Sequence, residues 1–198
     1  MIATERERGD VALTRWLWHR DQKTIDPRQL VFVDETGTAT NMAPLYGWGP
    51  KGERLIGSVS NGHWKRTTFV GGLSLNGFIA PMVIEQAMNA ATFEAWVEQF
   101  LIPDMPKNAI VVMDNLSAHK GARIRELIEA AGGEVLYLPP YSPDLNPIEQ
   151  AFSKLKHWLR VAQETTTQNL WDMIGTILNH FKPDECARYF LNSGYRAV

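Results

Sequence analysis

Cysteine is almost missing: Cys186 is the only one in 198 residues. That excludes an intramolecular disulfide and a four-thiolate zinc site, and it places the chain, as an expectation, in the reducing cytoplasm. A basic excess is missing too. Twenty Lys and Arg stand against 22 Asp and Glu, giving a net charge of -2 and a pI near 6.2. No global positive field therefore draws in a polyanion, and any such contact rests on local basic stripes. Apolar runs end after a few residues, well short of the roughly 18 that a membrane span needs, and the N-terminus Met1-Ile2-Ala3-Thr4-Glu5-Arg6-Glu7-Arg8 has no signal-peptide core. No segment repeats and none is low in complexity. Glycine-rich phosphate loops are lacking as well: Gly47-Trp48-Gly49 and Gly71-Gly72 match neither nucleotide-binding pattern, which argues against a small-molecule α/β enzyme. What the chain does have is apolar mass. At 44% hydrophobic, with 7 Trp, 8 Phe and 5 Tyr, it can offset the entropy of ordering. Its length suits one domain or slightly more.

Residues 1–28 read as a charged leader or linker with a short helix, containing Trp16 and Trp18, that ends near Asp21. Leu30-Val31-Phe32-Val33 is a β-rich apolar run ending at Asp34, the pattern of a strand buried on both faces. Residues 36–66 read as a loop insertion, with Trp48 and Trp64 expected to pack it onto the core, the alternative being an aromatic face for a stacked ring. Two further strands, 67–75 and 78–85, join at Asn76-Gly77, a strong hairpin signal, and should be antiparallel neighbours. A helix is expected over 92–101, stopped by Pro103 and Pro106. Then come a buried strand at 109–113 ending in Asp114, a helix over 120–131, and a strand at 135–138. A proline-rich loop leads to a helix over 147–160, and two more apolar periodic segments, 170–181 and 183–190, also read as helices. The order β, β, β, α, β, α, β implies an α/β fold with a mixed sheet, because helix-linked strands run parallel while the hairpin does not.

Asp34 and Asp114 each close an apolar run, which puts both carboxylates at the carboxyl ends of buried strands, the edge where open α/β sheets bind ligands. A single aspartate there is an ordinary turn former. Two in matching positions repel one another unless a cation joins them, and hard oxygen donors select magnesium or manganese over zinc. Glu149 has two readings. With Asn146 as N-cap and Pro147 at the first helical position it makes a capping-box-like start. It also borders the apolar stripe Ile148, Phe152, Leu155 and Leu159, and shares a flank with Ser153, Lys156 and Arg160, about 100° round the helix. A carboxylate running into a basic ridge suits a metal site beside a phosphate backbone; the same ridge also suits a solvated face.

Val33-Asp34-Glu35, Met113-Asp114-Asn115 with His119, and Leu138-Pro139-Pro140-Tyr141-Ser142-Pro143-Asp144-Leu145-Asn146-Pro147-Ile148-Glu149 together resemble the three acidic motifs of DDE transposases, specifically those of bacterial insertion sequences in the mariner-like superfamily. The likeness runs from about residue 28 to the C-terminus. It implies a ribonuclease H-like fold with a five-stranded mixed sheet, a catalytic domain over 29–162 carrying the 36–66 insertion, and a helical extension of the same domain over 163–198. It implies that Asp34, Asp114 and Glu149 are catalytic and hold two magnesium or manganese ions, with Asn115 and His119 behind them. The implied activity is cleavage of DNA at transposon ends and transfer of the freed 3′ ends into a TA target, in the bacterial cytoplasm at the nucleoid. Lys51, Arg54, Lys65, Arg66, Lys156 and Arg160 are candidate phosphate contacts. Related transposases carry helix-turn-helix modules ahead of the catalytic domain. The 33 residues before Asp34 are too few for one, so either a reader segment is encoded in a separate or frameshifted upstream frame or the chain is a truncated remnant; a dimer on DNA is expected. A purely hydrolytic nuclease and a non-catalytic DNA-binding remnant are the competing readings.

Overall fold

The structure is a computed structural model that describes residues 4–44, 46–57, 63–116 and 119–196. Five strands, β1 (Leu30–Ala39), β2 (Arg66–Ser74), β3 (Gly77–Ile84), β4 (Ile110–Met113) and β5 (Glu134–Tyr137), form one sheet in the order β3-β2-β1-β4-β5. The β1–β2 and β2–β3 pairs are antiparallel, while β1–β4 and β4–β5 are parallel. The mixed sheet expected from the element order is therefore present, and the loop of the β2–β3 hairpin is Leu75-Asn76, with Gly77 at φ +120° opening β3.

Helices cover both faces of this sheet. Alternation along β1 sends Leu30 and Phe32 to one face and Val31 and Val33 to the other. On the first face they meet α5 (Ile148–Ala162), α6 (Thr167–Leu178) and α7 (Pro183–Asn192), through Phe152, Leu155, Ile174 and Phe190. On the second they meet α2 (Ala90–Trp96) and α4 (Ala122–Ala130), through Phe93, Trp96, Ile124 and Ile128. The helix expected to stop at Pro103 does not stop there. α2 continues through a π-helical segment, Val97–Leu101, into the short α3 (Ile102–Asp104), so Pro103 lies inside the last turn.

Two segments differ from their sequence reading. The insertion proper spans 40–65 rather than 36–66, because β1 runs on to Ala39 and β2 starts at Arg66. Thr36 and Thr38 are buried while Gly37 is exposed, a period-two pattern, and the Thr38 and Thr67 hydroxyls bond across the pair at 2.7 Å. Trp48 and Trp64 do not pack the insertion on the core. Trp48 is fully exposed and Trp64 half so.

The leader is likewise docked rather than free. α1 (Gly9–Asp21) presents Arg15, whose guanidinium forks onto Asp144 at 3.1 and 2.8 Å and also donates to Ser142 Oγ at 2.6 Å. Arg6 adds a second ion pair to Asp144 at 2.7 Å. Trp18 Nε1 donates to the Tyr195 hydroxyl, which donates in turn to the Leu145 carbonyl. The N-terminal helix and the last residues of the chain thus brace the proline-rich loop from behind.

Candidate active site

The parallel ladder between β1 and β4 ends with Val33 opposite Met113, and an aspartate follows each. Asp34 is not the end of its strand, since β1 continues against β2 with Asp34 opposite Gly71. It is the first residue beyond the reach of β4, and that opens its side chain to the sheet edge. Alternation places Asp34 on the α5 face with Leu30 and Phe32, and Glu35 on the α4 face with Val31 and Val33. The hydrogen bonds follow that division.

On the α5 face Asp34 is 8% exposed. One of its oxygens accepts the Glu35 amide at 2.8 Å, and the other accepts Asn146 Nδ2–H at 3.0 Å. Burial pushes its carboxyl up to about 7. The Glu35 amide works against that rise, and the negative charges of Asp114, Glu149 and Glu35 add to it. Just beyond the end of β4, Asp114 Oδ1 accepts the Leu116 amide at 2.9 Å and meets His119 Nδ1 at 2.7 Å. Burial, the largest single influence, raises Asp114, but the bonds from His119 and Leu116 and the charges of His119 and Lys120 outweigh it and hold the carboxyl below its usual range.

His119 lies fully buried between two carboxylates, its Nε2 2.9 Å from Glu35 Oε2 and its ring against Phe93 with centroids 4.4 Å apart. Burial opposes its charge, yet the bonds to Asp114 and Glu35 raise it to about 9. The imidazole is therefore a cation at neutral pH, with both nitrogens donating. Its backbone carbonyl accepts the Tyr137 hydroxyl at 3.0 Å, which ties the segment to β5.

Glu149 sits in the first turn of α5, exposed, and its carboxylate bonds to no other described residue. The capping-box reading fails here. α5 begins at Ile148 with Pro147 in the cap position and no side-chain cap, while the Asn146 side chain turns away to Asp34. A local pattern gave way to a contact 112 residues distant.

Asp34, Asp114, Glu149, Asn115, Asn146 and Lys120 share one cleft of about 540 Å³, walled by the proline-rich loop. Asn115 points its amide at the Leu138 carbonyl, 3.3 Å away, and so joins the end of β4 to that loop rather than steering Asp114. In the loop Tyr141 adopts φ +54°, a left-handed conformation costly for an aromatic residue. Arg66, Lys156 and Arg160 line a separate groove of about 470 Å³. Lys156 and Arg160 are seven and eleven residues past Glu149 on α5, hence about 10 and 16 Å along its axis. Lys51, Arg54 and Lys65 are exposed on the 40–65 segment and line neither space. Among the described residues no three His, Cys, Asp or Glu side chains stand close enough together to hold a metal ion; Asp34, Asp114 and Glu149 line the same cleft without meeting at one point. Glu35 and Asn146 are the partners that sequence reasoning did not place; in each case the signal was position on a face, legible only once the strand register was known.

The fold is ribonuclease H-like, as in the catalytic domain of Mos1 transposase bound to raltegravir and magnesium, with a TM-score of 0.69, 17% identity, and coverage of 100% of this chain and 92% of that one. It also superimposes on Mos1 in a pre-cleavage transpososome (TM-score 0.73, 17% identity, 92% of this chain, 57% of that one) and in the strand transfer complex (TM-score 0.73, 17% identity, 98% and 59%). The chain thus spans a little over half the length of those two Mos1 chains. Residues 29–170 match the sequence profile of the DDE superfamily endonucleases, and the chain belongs to that family of enzymes. No curated protein matches it. Among the described residues no helix is long and apolar enough to cross a membrane.

Proposed function

We propose that this chain is the catalytic part of a bacterial insertion-sequence transposase, which cuts DNA at the ends of an element and joins the freed 3′ ends to a TA target. The observation that carries the reading is the convergence of Asp34, Asp114 and Glu149 on one cleft at the carboxyl edge of adjacent parallel strands. Their chemistry fits a hard divalent cation: three carboxylates line one cleft, and one is lifted to about 7 by burial and by its negative neighbours. Asp34, Asp114 and Glu149 would hold two magnesium or manganese ions, which when bound activate water or a 3′ hydroxyl and stabilise the leaving oxygen.

The chain's own residues do the positioning. His119 fixes the Asp114 carboxylate against Glu35, and Asn115 ties the start of the loop that leads to α5 and Glu149 to the end of β4. Arg66, Lys156 and Arg160 offer phosphate contacts leading away from Glu149, and Lys51, Arg54 and Lys65 add charge from the insertion; such contacts seat a duplex without reading its sequence. Residues 29–162 with the extension 163–198 make the catalytic unit, and α1 braces it. A helix-turn-helix segment reads the element ends, and two copies act together on DNA at the nucleoid. The likeness to Mos1 in its transpososome and strand transfer complex supports this reading.

The test is a strand-transfer assay with a pre-cut end duplex, a supercoiled target, and magnesium or manganese, with the reader segment supplied in trans. The proposal expects joined products inserted at TA. Hydrolysis without joining would make the chain a nuclease. Binding without any cleavage in either metal would make it a remnant.

A further inference from the structure

We propose that Asn146 is a positioning residue that orients the Asp34 carboxylate for metal binding and sets its placement relative to Glu149. The inference rests on the reading of Asp34 and Glu149 as metal ligands and deepens it.

Asn146 is 4% exposed. Its Nδ2 donates to Asp34 Oδ2 at 3.0 Å, and its Oδ1 is buried with no donor among the described residues. An acceptor left unpaired in the interior is unfavourable, so stability alone gives no reason for the amide oxygen here. Helix capping gives none either, because the side chain bonds to no backbone amide of α5. The contact with Asp34 does give one. Serine or threonine would cap a helix without an orphaned acceptor but falls short of Asp34, and aspartate would set another negative charge against it. An amide combines reach, a donor and neutrality. Since the Glu35 amide holds the other oxygen of Asp34, both carboxylate oxygens are fixed by donors, and bonds of this kind to an ionised group are the stronger ones.

The placement of Asn146 in the chain gives the contact its consequence. Asn146 and Glu149 flank one short turn, rigid at Pro147, in which the Glu149 amide bonds to the Asn146 carbonyl at 3.2 Å. The element that presents the third carboxylate therefore also grips the first. The distance between ligands from distant parts of the chain is set by one side chain rather than by two independent loops. Loss of such an outer partner typically weakens metal affinity by about 10- to 100-fold.

The test is calorimetric titration of manganese into the full chain and into Asn146→Ala, Asn146→Ser and Asp34→Ala, with the urea midpoint of each metal-free protein measured alongside. The expected result is manganese binding weakened about 10- to 100-fold in both Asn146 variants, with metal-free midpoints little changed, because the loss of the orphaned Asn146 acceptor offsets the loss of the donor to Asp34. Raising the manganese concentration should restore cleavage of a pre-cut duplex to Asn146→Ala but not to Asp34→Ala. The serine variant keeps a good helix-start residue and reports if the alanine protein does not fold. Wild-type manganese affinity in the Asn146 variants, with binding lost in Asp34→Ala, would overturn the inference and leave the metal site standing. Wild-type affinity in Asp34→Ala as well would overturn the metal-site reading and this one with it.

Discussion

Asp34 and Asp114 occupy matching positions on adjacent parallel strands, yet they are held in opposite ways. Asp34 faces α5, where its side-chain donor is the neutral amide of Asn146, and burial lifts it to about 7. Asp114 instead meets a buried cation, His119, which keeps it ionised. Like residues at like positions thus owe their different chemistry to their partners, a neutral amide for one and a buried imidazolium for the other. One carboxylate is ready to hold a cation, while the other ionises fully when one arrives, so ion binding near neutral pH should release a proton.

The largest expected effect tests whether both are needed. Asp34→Ala and Asp114→Ala should each cut metal-dependent cleavage by about 1,000-fold or more, since each removes a ligand from ions worth several kcal/mol to the reaction; single-turnover nicking of a labelled duplex measures it.

The comparison sharpens with pH in the metal-free protein. For Asp34 the folded pKa stands above the ordinary 3.8. The unfolded chain therefore loses its proton first, and stability falls as pH rises from about 4 to 7, by about 4 kcal/mol. For His119 the folded pKa of about 9 exceeds the ordinary 6.5. Its contribution is whole below pH 6.5 and is lost as pH rises through 9, by about 3 kcal/mol. Urea midpoints across pH should show two descending steps. Asp34→Asn should remove the lower step and His119→Gln the upper.

At pH 7.5 without metal the two aspartates should respond with opposite signs. Asp114→Asn leaves His119 without one of its two carboxylates and should cost about 2 kcal/mol, whereas Asp34→Asn relieves a buried, repelled charge and should stabilise. Equal effects in chemical denaturation would break the comparison. A smaller effect is expected behind the loop. Arg15→Lys keeps the charge but loses the fork on Asp144 and should cost about 1 kcal/mol, read as a lower thermal midpoint.

Most of this architecture was legible because it is local. Four-residue apolar runs ending in aspartate marked β1 and β4, the Asn76-Gly77 pair marked the hairpin, and the stripe Ile148, Phe152, Leu155 and Leu159 marked α5. What escaped depends on distant partners. Thr36-Gly37-Thr38 has turn composition and becomes strand only because β2 lies beside it. α1 has no apolar stripe to announce its docking; the Arg15–Asp144 ion pair and a Trp18–Tyr195 bond hold it instead, with Arg6 just ahead of it adding a second pair to Asp144. Asn146 fitted a cap by every local rule, and the competing acceptor was invisible until β1 and α5 were brought together.

The central claim, that three carboxylates act as one metal-dependent cutting site, is tested most directly at Glu149, whose carboxylate has no structural partner among the described residues. Glu149→Gln should leave the urea midpoint within about 0.5 kcal/mol of the wild type and abolish cleavage of a pre-cut end duplex in magnesium and in manganese. Cleavage by Glu149→Gln at the wild-type rate, under conditions where Asp34→Ala is inactive, would contradict it.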